Sequence, residues 1–269
     1  TQPLPPPSPS PTDPIPSITY QVYRQDTAQL HVVAVPPGAG YTVGVAVPEG
    51  LVPLSEQAAG LGAIAALNGG FFDPQNGLTT SFVTVAGTLA ADPRQNPRLM
   101  DNPDLQSYLP GILDRSEFRI YACGEDTHYA IDRHSAPIPA NCTLTAAVGA
   151  GPQLLPENTG YGEGFLADNA AGETVRDVLG SRSPNARSAV ALTADGTVIL
   201  AMAAQGEGQP GFTLDQMAAF LTRLGAIAAL NLDGGSSSSL YFEGETVYGR
   251  RDPEGAPIQR PVKSILWVR

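Results

Sequence analysis

The chain has 269 residues, of which 42% are hydrophobic, so it is long enough for one large domain or two small ones with a sizeable core. Its net charge of -11 argues against nucleic acid and anionic membrane surfaces as partners, because no basic field exists to attract them. No apolar run approaches the ~18 residues that a membrane helix needs, so we expect no membrane span.

The first 17 residues are dominated by proline, with serine and threonine between, which is typical of an extended, solvated linker. They contain neither a basic region nor an apolar run of the kind that a signal peptide carries. We therefore predict a linker over 1–17 ahead of one domain over 18–269. Such a spacer fits an extracellular or periplasmic protein, tethered to the surface through this segment.

Short segments rich in β-branched residues follow the linker, and strands outnumber helices in the prediction. The predicted strands cover 18–24, 27–35, 41–47, 188–193, 197–204 and 262–268. The Asp-Gly pair at 195–196 indicates a hairpin between the fourth and fifth of these. Helices are predicted at 54–60 and, after a capping box at 213–216, up to residue 224, with weaker ones near 102–108 and 174–179.

One octapeptide, LGAIAALN, occurs twice, at 61–68 and at 224–231, and each copy ends in an asparagine shortly before a glycine pair. A short apolar run that stops at such a turn is typical of a buried strand. Chance similarity of alanine-rich strands is the alternative. Because each copy follows a predicted helix, we predict an α+β fold with a mixed β-sheet, packed helices and a repeated helix–strand–glycine-turn unit. Two such strands would place Asn68 and Asp233 at one cleft.

Asp233 leads into Gly234 and Gly235 and then into a run of four serines. A carboxylate before two glycines allows a phosphate or oxyanion to approach the main chain closely, although serine-rich loops are often solvated turns. The Gly-x-Ser-x-Gly elbow of serine hydrolases is absent, and none of the three histidines stands beside a catalytic turn. The sequence therefore favours an anion site here over a Ser/His/Asp triad.

Arg187 stands at the start of a predicted buried strand, where a guanidinium needs an anionic ligand or a carboxylate partner. A structural ion pair with Asp233 is the alternative. Cys123 and Cys142 are the only cysteines, and we predict a disulfide between them in an exported chain. A zinc site that combines them with His128 and His134 matches no standard spacing, so we predict no metal and no cofactor.

Five motifs occur in a fixed order: NGGFF at 68–72, GP at 151–152, ARSA at 186–189, NLDGGSS at 231–237 and RPV at 260–262. Together they resemble the motifs of the phosphodiester glycosidase family, which includes the catalytic domain of the mannose-6-phosphate uncovering enzyme and bacterial envelope proteins. The resemblance covers roughly residues 18–269. The chain departs from it at Ser236, where the family frequently has a third glycine.

The resemblance implies an exported hydrolase that cleaves the anomeric C–O bond of a sugar-1-phosphodiester or a phosphodiester-linked glycan and releases free sugar. It implies Asp233, Arg187 and Asn68 as catalytic residues, with Arg187 and the Gly234 and Gly235 amides on the phosphate. Asn68 and Asn231 would contact sugar hydroxyls or hold the turns. The remaining substrate-binding candidates are Ser236, Gly151, and Asp73 or Glu163 as a second carboxylate.

Two other functions stay open at this point. One is an envelope or exopolysaccharide-binding or biosynthesis accessory protein that keeps the cleft without turnover. The other is a metal-dependent phosphodiesterase with Asp233 as a metal ligand. The sequence chooses neither the sugar nor the aglycone, nor between retention and inversion of configuration.

Overall fold

The computed structural model describes residues 16–269, and strands dominate this part of the chain. Strand residues account for 41% of the structure and helical residues for 13%. The strands are β1 (Thr19–Arg24), β2 (Gln29–Val35), β3 (Val43–Ala46), β4 (Ala65–Asn68), β5 (Val83–Val85), β6 (Thr88–Ala91), β7 (Ser116–Cys123), β8 (Asp126–Arg133), β9 (Thr143–Gly149), β10 (Gln153–Leu155), β11 (Leu166–Asp168), β12 (Thr174–Asp177), β13 (Arg187–Thr193), β14 (Val198–Ala204), β15 (Ala226–Asn231), β16 (Ser239–Phe242), β17 (Glu245–Tyr248) and β18 (Ile265–Val268). The helices are α1 (Leu54–Gly60), α2 (Pro97–Met100), α3 (Leu109–Ile112) and α4 (Leu214–Arg223).

The predicted α+β class with a mixed sheet is wrong. All strand pairs between these eighteen strands are antiparallel. The two octapeptide copies do not share a sheet either, since β4 and β15 lie in different ones. Helices that follow strands within a parallel sheet would act as crossovers, whereas here six pairs of consecutive strands, such as β1–β2 and β13–β14, form direct hairpins. The fold is therefore a set of antiparallel sheets with few helices.

Three larger sheets enclose one apolar core. Their strand orders are β1-β2-β14-β13-β15-β10, β17-β16-β4-β18-β3 and β6-β5-β9-β7-β8, and β11 pairs with β12 alone. Each sheet contributes fully buried side chains to the same cluster, among them Leu200 from the first, Leu67 from the second and Phe118 from the third. Because all three sheets meet at this core, the ends of β4 and β15 come together.

Helix α4 covers the outer face of the six-stranded sheet, and α1 covers that of the sheet containing β4. The predicted capping box is confirmed, because the Thr213 hydroxyl accepts from the Gln216 amide and the Gln216 side chain accepts from the Thr213 amide. The helix predicted near 174–179 is wrong, since Thr174–Asp177 is strand β12. The six strands that the sequence predicted correspond to β1, β2, β3, β13, β14 and β18.

The predicted disulfide is confirmed, because Cys123 and Cys142 are bonded to each other. It ties the end of β7 to the loop before β9. Closing a loop with a sequence separation of 19 contributes about 3 kcal/mol on the chain-entropy model. Cysteines held in this bond are not thiolate ligands, so the zinc site considered from the sequence does not form.

Among residues 16–269, no helix is long and apolar enough to span a bilayer. The predicted linker and its surface tethering fall almost entirely on residues 1–15, which lie outside the described part of the chain. The single domain over 18–269 stays a prediction.

Candidate active site

The two asparagine-headed turns lie directly against each other. The Asn68 side-chain amide donates to the Asp233 carbonyl oxygen at 2.7 Å, and the Asp233 amide donates to the Gly69 carbonyl at 3.0 Å. Asn68 and Asp233 are thus in direct contact, and their place at one shared cleft stays a prediction. Glycine is required beside this junction, because a Cβ on Gly70 would lie 2.0 Å from the Gly149 carbonyl oxygen. Both β4 and β15 therefore end in the same residues, AALN, and the turns that follow them lie against each other.

Asn68 is completely buried, and its polar atoms are engaged within the protein. Its Oδ1 accepts from the Ser188 hydroxyl at 2.7 Å and from the Ser239 amide at 3.1 Å. The side chain thereby connects β4, β13 and the start of β16. Of the two functions that the sequence left open for Asn68, the contacts favour holding the turns.

Asn231 occupies the equivalent position after β15 and is joined to the Gly151 turn. Its Nδ2 donates to the Gly151 carbonyl at 2.8 Å, and the Gly151 amide donates to the Asn231 carbonyl at 2.9 Å. Gly151 has a φ of 112°, and a Cβ there would lie 2.2 Å from Glu163 Oε2. Gly151 thus holds Asn231 in position through two hydrogen bonds, and it does not itself line the adjacent pocket.

A pocket of about 250 Å³ opens beside these turns. One part of its lining, the polar wall, carries Asp233 and Asn231, and another part, the apolar wall, carries Phe71, Val178 and Leu179. The lining residues are Phe71, Val178, Leu179, Asn185, Arg187, Asn231, Leu232, Asp233, Gly234 and Gly235. This combination of an apolar surface with a few convergent polar groups is typical of a small-molecule site.

Asp233 is partly exposed to the pocket and otherwise surrounded by protein. Desolvation raises the pKa of its carboxyl to about 6, although the Ser237 hydroxyl, the Arg260 charge and the Gly234 amide oppose the shift. A carboxylate with this pKa is ionised at neutral pH and can still accept a proton. It can therefore act as a general base or stabilise positive charge.

Gly235 does not offer its amide to a ligand as the sequence suggested. That amide donates to the Ala186 carbonyl at 2.8 Å, while the Gly234 amide faces the Asp233 carboxylate. Ser236 is partly exposed, and its hydroxyl accepts from Arg260 at 3.0 Å. The glycine turn thus shapes the pocket and directs Asp233, and the predicted two-amide phosphate cradle is not formed.

Arg187 lines the pocket but is 3% exposed. Four of its guanidinium hydrogen bonds go to main-chain oxygens: Nε to Phe212 at 3.1 Å, Nη1 to Leu179 at 3.0 Å, and Nη2 to Gly180 at 2.8 Å and Ser183 at 2.9 Å. Burial lowers its pKa, and nearby Asp177 opposes that shift. The alternative of an ion pair with Asp233 does not occur in the described part of the chain. One N–H remains for a ligand, so Arg187 mainly fixes the pocket wall at 178–183.

Arg260 is a cation close to Asp233 to which sequence reasoning gave no role, and it is not among the residues that line the pocket. Its Nη1 donates to Ser236 Oγ, its guanidinium lies 5.2 Å from the centre of the Phe72 ring, and its charge lowers the pKa of Asp233. It is partly exposed, which leaves donors free for an anion. The motif at 260–262 was the available signal, since it occurred in the family pattern without an assigned role.

Neither candidate second carboxylate lines the pocket. Asp73 holds a surface turn, because its Oδ1 accepts from the Gln75 amide at 2.8 Å and its Oδ2 pairs with Arg98 at 2.6 Å. Glu163 is completely buried, accepts from the Ser116 hydroxyl at 2.6 Å and the Thr159 hydroxyl, and lies 3.3 Å from Arg133. Both are engaged elsewhere in the fold. Among residues 16–269, no cluster of three or more His, Cys, Asp or Glu side chains could hold a metal ion.

Solved structures with this fold come from several organisms. The catalytic domain of zebrafish N-acetylglucosamine-1-phosphodiester alpha-N-acetylglucosaminidase, auto-inhibited by its pro-peptide, is similar with a TM-score of 0.68 and 18% identity, covering 97% of this chain and 85% of that one. A candidate exported protein from Burkholderia pseudomallei is similar with a TM-score of 0.66 and 17% identity, covering 90% and 74%. A hypothetical protein from Synechocystis has a TM-score of 0.60 and 20% identity, covering 93% of this chain, which spans 61% of that protein. At these identities the likeness shows the fold alone.

A comparison with curated proteins finds no significant match. The sequence pattern of the family described as phosphodiester glycosidase, however, matches residues 61–269. That range is most of the chain, and it contains the two turns, Asp233, Arg187 and Arg260. The chain therefore belongs to the phosphodiester glycosidase family.

Proposed function

We propose that this protein hydrolyses the anomeric C–O bond of a sugar-1-phosphodiester and releases the free sugar and a phosphomonoester. The observation that carries the proposal is Asp233, a partly exposed carboxylate on the polar wall of a small pocket in a member of this family. Desolvation raises the pKa of Asp233 to about 6, so its carboxylate can exchange a proton near neutral pH. The disulfide and the similarity to a candidate exported protein support an extracellular or periplasmic location.

The chemistry needs little general-acid help, because a phosphomonoester is already a stable anion when it departs. The C–O bond breaks with its electron pair on the phosphate oxygen, and a water oxygen bonds to the anomeric carbon. Asp233 is placed to stabilise the positive charge that develops on the sugar and to accept the proton of that water. With one carboxylate lining the pocket, the same group serves both tasks.

The departing phosphate needs a local cation, because the net charge of -11 repels anions. Arg260 supplies it from beside Ser236 and Asp233, and Arg187 adds positive potential and one free N–H from within the pocket lining. The guanidinium fork suits a phosphate better than an ammonium does. Arg260 is thus assigned to the phosphate in place of the Gly235 amide.

Arg260→Ala is expected to lower kcat/KM by roughly a hundredfold, the usual cost of one charge-stabilising donor at about 3 kcal/mol. Arg260→Lys recovers part of the loss, because Lys keeps the charge without the fork. Steady-state kinetics of both variants provide the measurement. Exposed Arg250 is a suitable control position, and Arg250→Ala is expected to match the wild type. Unchanged kinetics in Arg260→Ala would remove Arg260 from the phosphate.

The activity is expected to depend on the ionisation of Asp233. Because its pKa is raised to about 6, kcat/KM should rise tenfold per pH unit below that value and level off above it. A profile of kcat/KM between pH 4 and 8 tests the assignment. A limb that falls with increasing pH near 6 would instead mean that Asp233 acts in its protonated form.

The direct test of the function is incubation with a panel of sugar-1-phosphodiesters, with free sugar and sugar phosphate resolved as products. N-acetylglucosamine-1-phosphodiesters belong in the panel, because the zebrafish neighbour is named for that substrate. Free sugar as product supports C–O cleavage, and sugar phosphate would indicate P–O cleavage. Saturable binding without turnover would point to an accessory protein, and activity abolished by EDTA to a metal-dependent phosphodiesterase.

A further inference from the structure

Asn231, a residue of the pocket lining, carries a buried side-chain oxygen without a hydrogen-bond partner. The residue is 1% exposed and lines the pocket, and among residues 16–269 no group donates to its Oδ1. Its Nδ2 is held by the Gly151 carbonyl at 2.8 Å. Turning the amide over would place Oδ1 against that carbonyl, so that two acceptors would face each other. The unpartnered atom is therefore an acceptor with a fixed orientation.

Asn68 provides an internal comparison, because it ends the same octapeptide in the other sheet. Its Oδ1 receives two hydrogen bonds, from the Ser188 hydroxyl and the Ser239 amide, and it does not line the pocket. The identical side chain at the pocket receives none. A buried acceptor left without a donor costs about 1 to 3 kcal/mol, so an unsatisfied one at a pocket wall marks a place for a donor on a ligand.

The apolar wall of the pocket indicates which kind of ligand carries that donor. Phe71, Val178 and Leu179 offer an apolar surface against which the face of a sugar ring can pack. A volume of about 250 Å³ suits one ring rather than an oligosaccharide. When the ring carbons pack against the apolar wall, the hydroxyl or acylamino groups of the sugar are free to contact the polar wall.

We propose that Asn231 is a specificity-determining residue, whose Oδ1 accepts from one hydroxyl or acylamino N–H of the sugar ring held in this pocket. The proposal rests on the proposed function for the identity of the ligand as a sugar phosphodiester. It adds that one ring position is required for recognition. Gly151 positions Asn231, the residue that contacts this ring position.

The test measures the affinity of Asp233→Asn, which we expect to bind without rapid turnover, for a series of methyl phosphodiesters. The series contains N-acetylglucosamine-1-phosphate, glucose-1-phosphate and the 2-, 3-, 4- and 6-deoxy analogues of glucose-1-phosphate, each as its methyl ester. Deoxygenation at one position should weaken binding at least tenfold, because Oδ1 then stays unpaired. A hydroxyl at position 2 and an acylamino group there are separated by comparing the first two compounds with the 2-deoxy analogue.

Asn231→Ala in the same background should bind the parent and that deoxy analogue within about twofold of each other. This comparison between ligands within one variant cancels any general loss of stability. Where Asn231→Ala does not fold, the deoxy series measured with Asn231 intact still shows whether one ring position is required for binding.

Each outcome has a distinct meaning. Binding that is indifferent to every deoxygenation, or discrimination that survives in Asn231→Ala, overturns the assignment of Asn231 while leaving the hydrolase proposal intact. Discrimination that depends on Asn231, without release of free sugar by the wild type, supports the assignment and rejects the hydrolase. Absence of both binding and turnover across the series overturns both.

Discussion

Asp233→Asn is expected to give a folded protein that binds a sugar-1-phosphodiester and turns it over at least about a thousandfold more slowly, or ~4 kcal/mol in the barrier. Asparagine keeps the shape of the side chain but removes the charge that a base or a stabiliser of an oxocarbenium-like centre needs. A turn-forming role would be preserved, because both residues cap turns and tolerate left-handed backbone. Retained turnover in this variant would therefore move the catalytic carboxylate elsewhere.

Asp73→Asn is the matched control, since Asp73 is the other partly exposed carboxylate that the sequence put forward. It pairs with Arg98 at the surface and does not line the pocket, so its loss should leave kcat unchanged. Loss of activity in Asp73→Asn together with activity in Asp233→Asn would reverse the assignment.

Asp233→Asn should also unfold at a higher temperature than the wild type near pH 7 to 8. The folded pKa of Asp233, about 6, lies above the ordinary 3.8, so the folded state loses stability relative to the unfolded state as pH rises from about 4 to about 6. Above pH 6 this penalty is constant at roughly 3 kcal/mol, and asparagine does not incur it. Thermal melts at pH 4 and pH 8 measure the effect, which should be present at pH 8 and absent at pH 4. A lower melting temperature at pH 8 would show that the carboxylate stabilises the fold.

The position of the two turns could be predicted from the sequence because it depends on local information. An apolar run of fixed length that ends at Asn and glycine specifies a buried strand and a tight bend, and β4 and β15 both form accordingly. The fold class could not be predicted in the same way. The capping box of α4 and the repeat suggested helices between strands, whereas the chain between the two repeats contains the antiparallel hairpins β5–β6, β7–β8, β11–β12 and β13–β14.

Strand β7 shows why part of the sheet structure escaped prediction. Its buried face carries Glu117 and Arg119, which lie 3.5 Å apart and are 2% and 3% exposed. Charged residues inside a strand hide the alternation on which strand prediction depends. The contacts that complete their burial are non-local, because Glu117 also pairs with His134 at 2.7 Å and Arg119 donates to the Ala136 carbonyl at 2.9 Å, and neither contact is visible in the local pattern.

The site was predictable only as far as its residues are local. Asp233 and the glycines follow one strand and were found together. Arg260 reaches Ser236 across 24 positions, and Arg187 is bound by carbonyls from 179–183 and from residue 212, so no periodicity or spacing indicates either contact. The sequence identified Arg187 as a buried cation in need of anionic partners, and the fold supplies main-chain dipoles instead.

Arg187→Ala is expected to lower the free energy of unfolding by about 3 kcal/mol or more, and to lower activity as a consequence. Removing the guanidinium leaves the Leu179 and Ser183 carbonyls without a donor, whereas the Phe212 and Gly180 carbonyls keep main-chain donors. Each buried unsatisfied acceptor costs about 1 to 3 kcal/mol. The segment 178–183 would then lose its anchor, and with it the apolar wall formed by Val178 and Leu179. Chemical denaturation and steady-state kinetics on the same preparation measure both effects.

Arg187→Lys separates the anchoring role from a direct contact with phosphate. Lysine keeps the charge but cannot reach carbonyls on both sides with a planar fork, so stability should stay well below that of the wild type. If Arg187 acted mainly on the phosphate, lysine would instead restore stability fully and leave a defect in kcat alone. Arg182→Ala serves as the control, because Arg182 is exposed on the same segment and should change neither quantity. Wild-type stability in Arg187→Ala would show that the Leu179 and Ser183 carbonyls find other donors, and that Arg187 does not hold the pocket wall in place.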